Sequence, residues 1–172
     1  MARYQQADLE AARELIDILS PRLFRFFLGC AGDRSQADDL LQDFWLRIHA
    51  ARRTYRPGEP LLPWMYAIAR RVRVDDYRKR RRVKGHEVQV TELPEPKASL
   101  PRAGGEFDFD NLLGALPSSQ QEVVVMLKVS GLSLEEVAAA TRTSVGAVKQ
   151  KAHRAYSTLR SLMRKPAHGN AI

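Results

Sequence analysis

Along this chain apolar residues recur in steps of three and four and almost nowhere in steps of two, which predicts helices and little or no strand. Over 7–29, Leu9, Ala12, Leu15, Ile16 and Leu19 are expected on one face, followed by Leu23, Phe24, Phe27 and Leu28. Ser20-Pro21 interrupts that run, either as a kink or as the N-cap and first residue of a second helix, and Gly29 and Gly32 close it. A fresh helix is expected from Ser35, with Asp38 completing a capping box and Leu40, Leu41, Phe44 and Ile48 as its apolar stripe. The three prolines and one glycine of TYRPGEPLLP predict a loop. Beyond it Leu61, Met65, Ile68 and Val72 are spaced four, three and four, a single buried face for a helix over 61–82.

The period lapses over 86–107, where Pro94, Pro96, Pro101, Gly104 and Gly105 predict a flexible linker. It resumes with Leu112, Leu113 and Leu116, then Pro117 and the capping-type run SSQQE. Ser133 with Glu136 forms a second capping box, and Ser144 is placed to cap a last helix with Val145, Val148, Ala152, Ala155, Leu159 and Leu162 on its buried seam. Residues 166–172 are expected to fray. The expected fold class is all-α: two small helical domains, 1–85 and 108–165, joined by the flexible linker.

Charge narrows what such a fold can do. The 28 Lys+Arg outweigh 20 Asp+Glu, a formal net charge of +8, which favours polyanionic partners, nucleic acid above all. No apolar run reaches the ~18 residues that span a bilayer, and MARYQQADLEAARE does not read as a signal peptide, so no membrane role and a cytoplasmic location are expected. A single cysteine, Cys30, excludes an internal disulfide; beside two glycines and a phenylalanine run it reads as an inert buried thiol. The four histidines lack metal-ligand spacing, so no metal, cofactor or small-molecule substrate is expected.

SLEEVAAAT and SVGAVKQKAHRA form two short helices about a tight turn, the second basic on its exposed side, the pattern of a helix-turn-helix at the C-terminal end of the fold. Ala138 is small enough for a close helix crossing, with Val137 and Val148 as the apolar contact. Outside lie Ala147, Lys149, Gln150, His153 and Arg154. Gln150 has the chemistry to read an adenine edge and Arg154 a guanine or a phosphate, while Lys149 and Lys151 suit phosphate. An ordinary three-helix bundle with a basic solvated face remains the alternative. At the turn, Thr141-Arg142-Thr143, a non-glycine residue at positive φ costs roughly 1 kcal/mol, so a distorted turn is expected.

In the first half Arg70, Arg71, Arg73, Arg78, Lys79, Arg80, Arg81 and Arg82 surround the helix 61–82, and only one or two of them serve its dipole. Trp64, Tyr66 and Tyr55 are flat surfaces on which an unstacked base could rest, with burial in the core as the plainer reading of Trp64. Asp38, Asp39, Gln42, Asp43 and Arg47 make the opposite case: beside bulk expected to be exposed at Phe44, Trp45 and Leu46, they suggest a protein partner.

Together QADDLLQDFWLRIH, LPWMYAIARRVRVDDYRKRRR and ALPSSQQEVVVMLKVSGLSLEEVAAATRTSVGAVKQKAHRAYSTLRSL resemble an ECF (extracytoplasmic function) sigma factor. The resemblance implies that Asp38, Asp39, Leu40, Gln42, Asp43, Phe44 and Leu46 dock on core RNA polymerase. It implies that the loop 52–60 and the helix 64–82, with Arg53, Tyr55, Trp64, Tyr66, Arg70, Arg71, Arg73, Arg78, Lys79 and Arg80, capture and melt the −10 element of promoter DNA, one base flipped from the stack. Ser144, Ala147, Lys149, Gln150, Lys151, His153 and Arg154 would read the −35 element, and an anti-sigma factor is the implied regulatory partner. The sequence departs from the family pattern at Arg71, for an asparagine, at Ala147 and Gln150, for threonine and serine, and at Arg142, for the turn glycine; these bear on the promoter sequence.

The 22 residues of 86–107 extend to at most ~70 Å, enough for two DNA elements two helical turns apart. Two other readings stand beside this one. A stand-alone helix-turn-helix regulator would need an effector pocket in the first half. An enzyme acting on nucleic acid would need clustered carboxylates or a nucleophile with its base, whereas Asp38-Asp39 and Asp75-Asp76 diverge on their helices; no catalytic residue is expected. Free in solution, the two halves are expected to fold on each other and hide their basic faces.

Overall fold

The computed structural model describes residues 1–31, 33–83 and 109–164. The expected linker 86–107 and tail 166–172 lie outside them. Among the described residues every regular element is helical: α1 (Ala2–Gln5), α2 (Leu9–Ala31), α3 (Arg34–Ala51), a 3-10 turn (Arg52–Thr54), α4 (Leu61–Val83), α5 (Phe109–Gly114), α6 (Ser118–Val124) continued by a π turn (Val125–Val129), α7 (Leu134–Thr141) and α8 (Val145–Arg164).

The face that α2 buries differs in part from the expected one. Leu19, Leu23 and Phe27 are inside as expected and Phe26 joins them, whereas Leu9 and Ile16 lie outside with Ile18. The aromatic cluster decides the rotation: Phe26 and Phe27 meet edge-on at 5.4 Å, Phe26 meets Tyr66 at 5.3 Å and Phe27 meets Phe44 at 6.0 Å. Pro21 does not break α2. The helix runs through it, and the neighbouring Ser20 hydroxyl accepts the Trp45 indole N–H at 3.0 Å. The start of α3 also differs: Asp33 is the cap, its carboxylate accepting the Ser35 N–H at 3.0 Å, so Ser35 lies inside the helix.

Helix α4 is buried on two sides where one was expected. Met65, Ile68 and Val72 are inside as their spacing requires, and so are Tyr66, Ala69 and Arg73. The second burial comes from the other half of the chain, because α4 packs against α7. A single apolar core runs from Tyr4 to Ala155 across both halves.

The junction is close-fitting. A Cβ on Gly29 would stand 3.0 Å from Val125 Cγ2, tighter than ordinary contact, so a larger residue there would need Val125 to give by a few tenths of an ångström. Gln121 Nε2 donates to the Gly29 carbonyl at 2.8 Å, and the Arg22 guanidinium donates to the Ser130 carbonyl.

Candidate functional site

On α3, residues three and four apart share a face, and Asp39, Gln42, Asp43 and Leu46 form one stripe. Asp38, Asp39, Gln42 and Leu46 are exposed, Leu46 by 66%. Asp43 is half-buried and holds Arg47 at 3.1 Å; Arg47 in turn reaches Asp75 of α4 at 2.5 Å. Leu40 and Phe44 do not belong to this surface. Both are buried in the core, Phe44 entirely, because they fall on the side of α3 that meets α2. Trp45, expected outside, is half-buried and tied to Ser20.

The residues expected to meet a single strand divide sharply. Tyr66 is buried beside Phe26, and burial pushes its hydroxyl pKa up; it offers no face to a base. Tyr55 is buried as well, its hydroxyl donating to the Glu59 carbonyl at 2.5 Å and its ring meeting half-buried Trp64 edge-on at 5.4 Å. Arg53, Arg71 and Lys79 are exposed, Arg78 is half-buried, and Arg80 is exposed but paired with Asp76 at 2.9 Å.

Arg70 and Arg73 are engaged inside the protein by a residue the sequence reading passed over, Glu122 of α6. Its carboxylate, 2% exposed, lies 3.0 Å from Arg70 Nε and 3.4 Å from Arg73 Nη2. Arg73 is correspondingly buried, not free for a phosphate. Its guanidinium is held above its ordinary pKa: burial opposes the charge most strongly, and Glu122 and Cys30 together more than offset it. Cys30 is adjacent, and burial pushes its thiol up to about 11. The only mark of Glu122 in the sequence is its phase. It sits four residues after Ser118 and three before Val125, both buried, so it occupies the apolar seam of α6.

The helix-turn-helix is built as its caps require. Ser133 Oγ accepts the Glu136 N–H at 3.1 Å while Glu136 accepts the Ser133 N–H at 2.8 Å, closing the capping box. Val137 and Val148 are fully buried between α7 and α8, and Ala138 lies at the crossing. Arg142 takes φ 54°, ψ 44°. The turn is therefore undistorted: Arg142 stands in the left-handed conformation a glycine would adopt, and the Thr143 N–H reaches back to the Ala138 carbonyl at 3.0 Å. Ser144 Oγ accepts the Ala147 N–H at 3.1 Å and opens α8. From α8, Lys149, Gln150, His153 and Arg154 point outward, with Ala147 and Lys151 half-buried at the edge of that face.

A basic helix and an acidic stripe on one helical unit, and a helix-turn-helix on the other, define a promoter-recognition factor of the sigma-70 type. Family comparison agrees: Sigma-70 region 2 matches residues 15–83 and Sigma-70, region 4 matches residues 106–159. The chain belongs to the ECF sigma factors, which direct bacterial core RNA polymerase to promoters and initiate transcription. It is 34% identical to the ECF RNA polymerase sigma factor EcfG of Rhodopseudomonas palustris over 86% of this chain and 83% of that protein. With the ECF RNA polymerase sigma factor SigF of Caulobacter vibrioides it shares 33% identity over 96% and 92%. Among solved structures it is similar to the sigma factor RpoE in complex with the anti-sigma factor NepR from Bartonella quintana, with a TM-score of 0.71, 25% identity, and 90% and 97% of the two chains covered. The fold of CnrH, solved with the cytosolic domain of CnrY, matches with a TM-score of 0.72 at 22% identity, covering 94% of this chain and 93% of that one. The stand-alone regulator is not favoured by these likenesses. Among the described residues no helix is long and apolar enough to cross a membrane.

Proposed function

We infer that this sigma factor works in the cytoplasm through three surfaces. The stripe Asp38, Asp39, Gln42, Asp43 and Leu46 docks on core polymerase. The loop 52–60 and the outer side of α4, with Arg53, Trp64, Arg71, Arg78, Lys79 and Arg80, hold the opened −10 element. The outer face of α8, from Ser144 to Arg154, reads the −35 element in the major groove. The domains are 1–85 and 108–165, the segment 86–107 spanning the distance between the two DNA elements. No reaction is catalysed by its own side chains, and no cofactor is used.

The observation that carries this reading is Leu46: a large apolar side chain, two-thirds exposed, set among carboxylates on a helix whose other large apolar residues are buried or half-buried. The packing of the two halves buries Arg73, ties half-exposed Arg70 to Glu122 and corresponds to a resting state, which polymerase or DNA must open. An anti-sigma factor is the regulatory partner this state suits, in keeping with the similar sigma factor RpoE, crystallised with the anti-sigma factor NepR. Anisotropy of labelled protein titrated with bacterial core polymerase tests the docking face. Nanomolar binding, weakened at least about tenfold by Asp39→Arg with Asp43→Arg, is expected; undiminished binding by that variant would refute it.

A further inference from the structure

Residues 2–8 form a hook that the three surfaces leave unexplained. Helix α1 has four residues, too few to hold itself together, and Ala7 turns the chain back at φ 65°. Its side chains are nonetheless committed to one place. Tyr4 is buried, its hydroxyl 2.8 Å from His49 Nδ1 at the end of α3. Gln5 Nε2 donates to the carbonyls of Arg52 and Tyr55, each at 2.8 Å. Those two carbonyls bracket the 3-10 turn from which the loop 55–60 departs. On its other side the hook is fastened to α2: Asp8 holds Arg3 Nε at 2.8 Å and caps the Ala11 N–H at 3.0 Å.

The effect continues down the loop. Tyr55, whose carbonyl Gln5 holds, pins the Glu59 carbonyl with its hydroxyl and meets Trp64 with its ring. Arg53 and Arg56 stand exposed on the span thus shaped. One amide spending both hydrogens on two carbonyls three residues apart fixes the curvature of the turn. Single attachment would leave it free to unwind.

We propose that Gln5 is a positioning residue for capture of the −10 strand: it sets the 3-10 turn and so aims the loop carrying Arg53 and Arg56 at the unstacked bases. This rests on the assignment of that loop to the −10 element. The test uses holoenzyme assembled from the full chain and bacterial core polymerase. The probe is a pool of labelled single-stranded DNA, roughly twelve nucleotides long and randomised in sequence, from which bound strands are recovered and sequenced.

Gln5→Glu keeps the shape and removes both donors; Gln5→Lys restores donors long enough to reach both carbonyls. The expected result is that Gln5→Glu binds the wild-type-selected strand about tenfold more weakly, the worth of two lost neutral hydrogen bonds, and selects a blurred sequence. Gln5→Lys regains most of both, and affinity for core polymerase is unchanged throughout. Two outcomes overturn the proposal: the same strand selected with equal affinity by Gln5→Glu, or a loss of polymerase binding in parallel with the DNA loss, which marks general destabilisation. Arg53→Ala with Arg56→Ala separates the two levels. If that variant selects as the wild type does, the loop is not the −10 reader; if it fails while Gln5→Glu does not, only the role of the hook is wrong.

Discussion

Removing the carboxylate of Glu122 should part the two halves without unfolding either. In Glu122→Ala the Arg73 guanidinium keeps its charge, with its side chain 8% exposed, and loses its counter-ion. Arg73 Nε and Nη2 make no hydrogen bond among the described residues. Losing one member of a buried pair costs about 3–5 kcal/mol, much of it the stranded charge. Arg70, with its side chain 35% exposed, is screened by water and adds little. Opening returns Arg73 to solvent and removes the penalty, so the lower figure of about 3 kcal/mol shifts the closed-to-open ratio roughly 150-fold.

Cys30, the single cysteine of the chain, reports on this junction. With its thiol pushed up to about 11, only about one molecule in 3,000 carries thiolate at pH 7.5, against about one in thirty for a thiol at the ordinary 9.0. Exposure of the thiol, together with loss of the Glu122 charge that itself raises the thiol pKa, should therefore make alkylation by iodoacetamide at that pH one to two orders of magnitude faster in Glu122→Ala, while circular dichroism keeps its helical signal. Glu122→Gln, which retains shape and one acceptor, should fall between. An alkylation rate within about twofold of wild type in Glu122→Ala would refute the ion pair as the element holding the halves together.

Three further outcomes follow from the same geometry. Because the folded Cys30 thiol ionises at about 11 rather than the ordinary 9.0, the unfolded chain gives up that proton first as pH rises. Its contribution to stability is whole below about pH 9 and is lost on approach to pH 11, so melting curves of wild type and Cys30→Ala should differ in slope over that window. Gly29→Ala should gain helix propensity of about 1 kcal/mol in α2 yet push on Val125; hydrogen exchange should quicken at the junction while α2 becomes no less protected. Arg142→Gly should relieve a left-handed residue at φ 54° and raise thermal stability by about 0.5–1 kcal/mol, and a fall would show that the Arg142 side chain contributes a contact.

Helices whose apolar residues face one neighbour were legible from spacing alone. In α8, Val148, Ala152 and Ala155 are buried as their steps of three and four require, and the capping box of Ser133 and Glu136 is local enough to be read from four letters. What escaped was decided by residues distant in sequence. Leu9 and Ile16 carry the same letters as a core residue, and only the meeting of Phe26 with Tyr66, forty residues on, sets which side of α2 turns inward. Arginine 73 looked like its basic neighbours until Glu122, from the other half, supplied the charge that let it be buried. Phe44 is a different case: its spacing in fours with Leu40 and Ile48 already placed it inside, against its reading as exposed bulk. Gln5 left no signal, since its partners are backbone carbonyls, which every residue carries.

The π turn at Val125–Val129 has a consequence for phase. The Ser130 N–H reaches the Val125 carbonyl at 2.9 Å and the Leu132 N–H reaches Met126 at 3.0 Å, a wider winding than the α-helical turn before it. One extra residue in a helix advances every later side chain by about 100° relative to an uninterrupted α-helix. Upstream of the wide turn Glu122 faces α4; downstream the chain leaves through Gly131, at φ 67°, to bury Leu132 and launch the helix-turn-helix. The angular offset lets one continuous stem serve as both clasp and mount. A deletion of a single residue within it would leave the chemistry of every remaining side chain intact and still turn the DNA-reading face away from its bearing on the rest of the molecule.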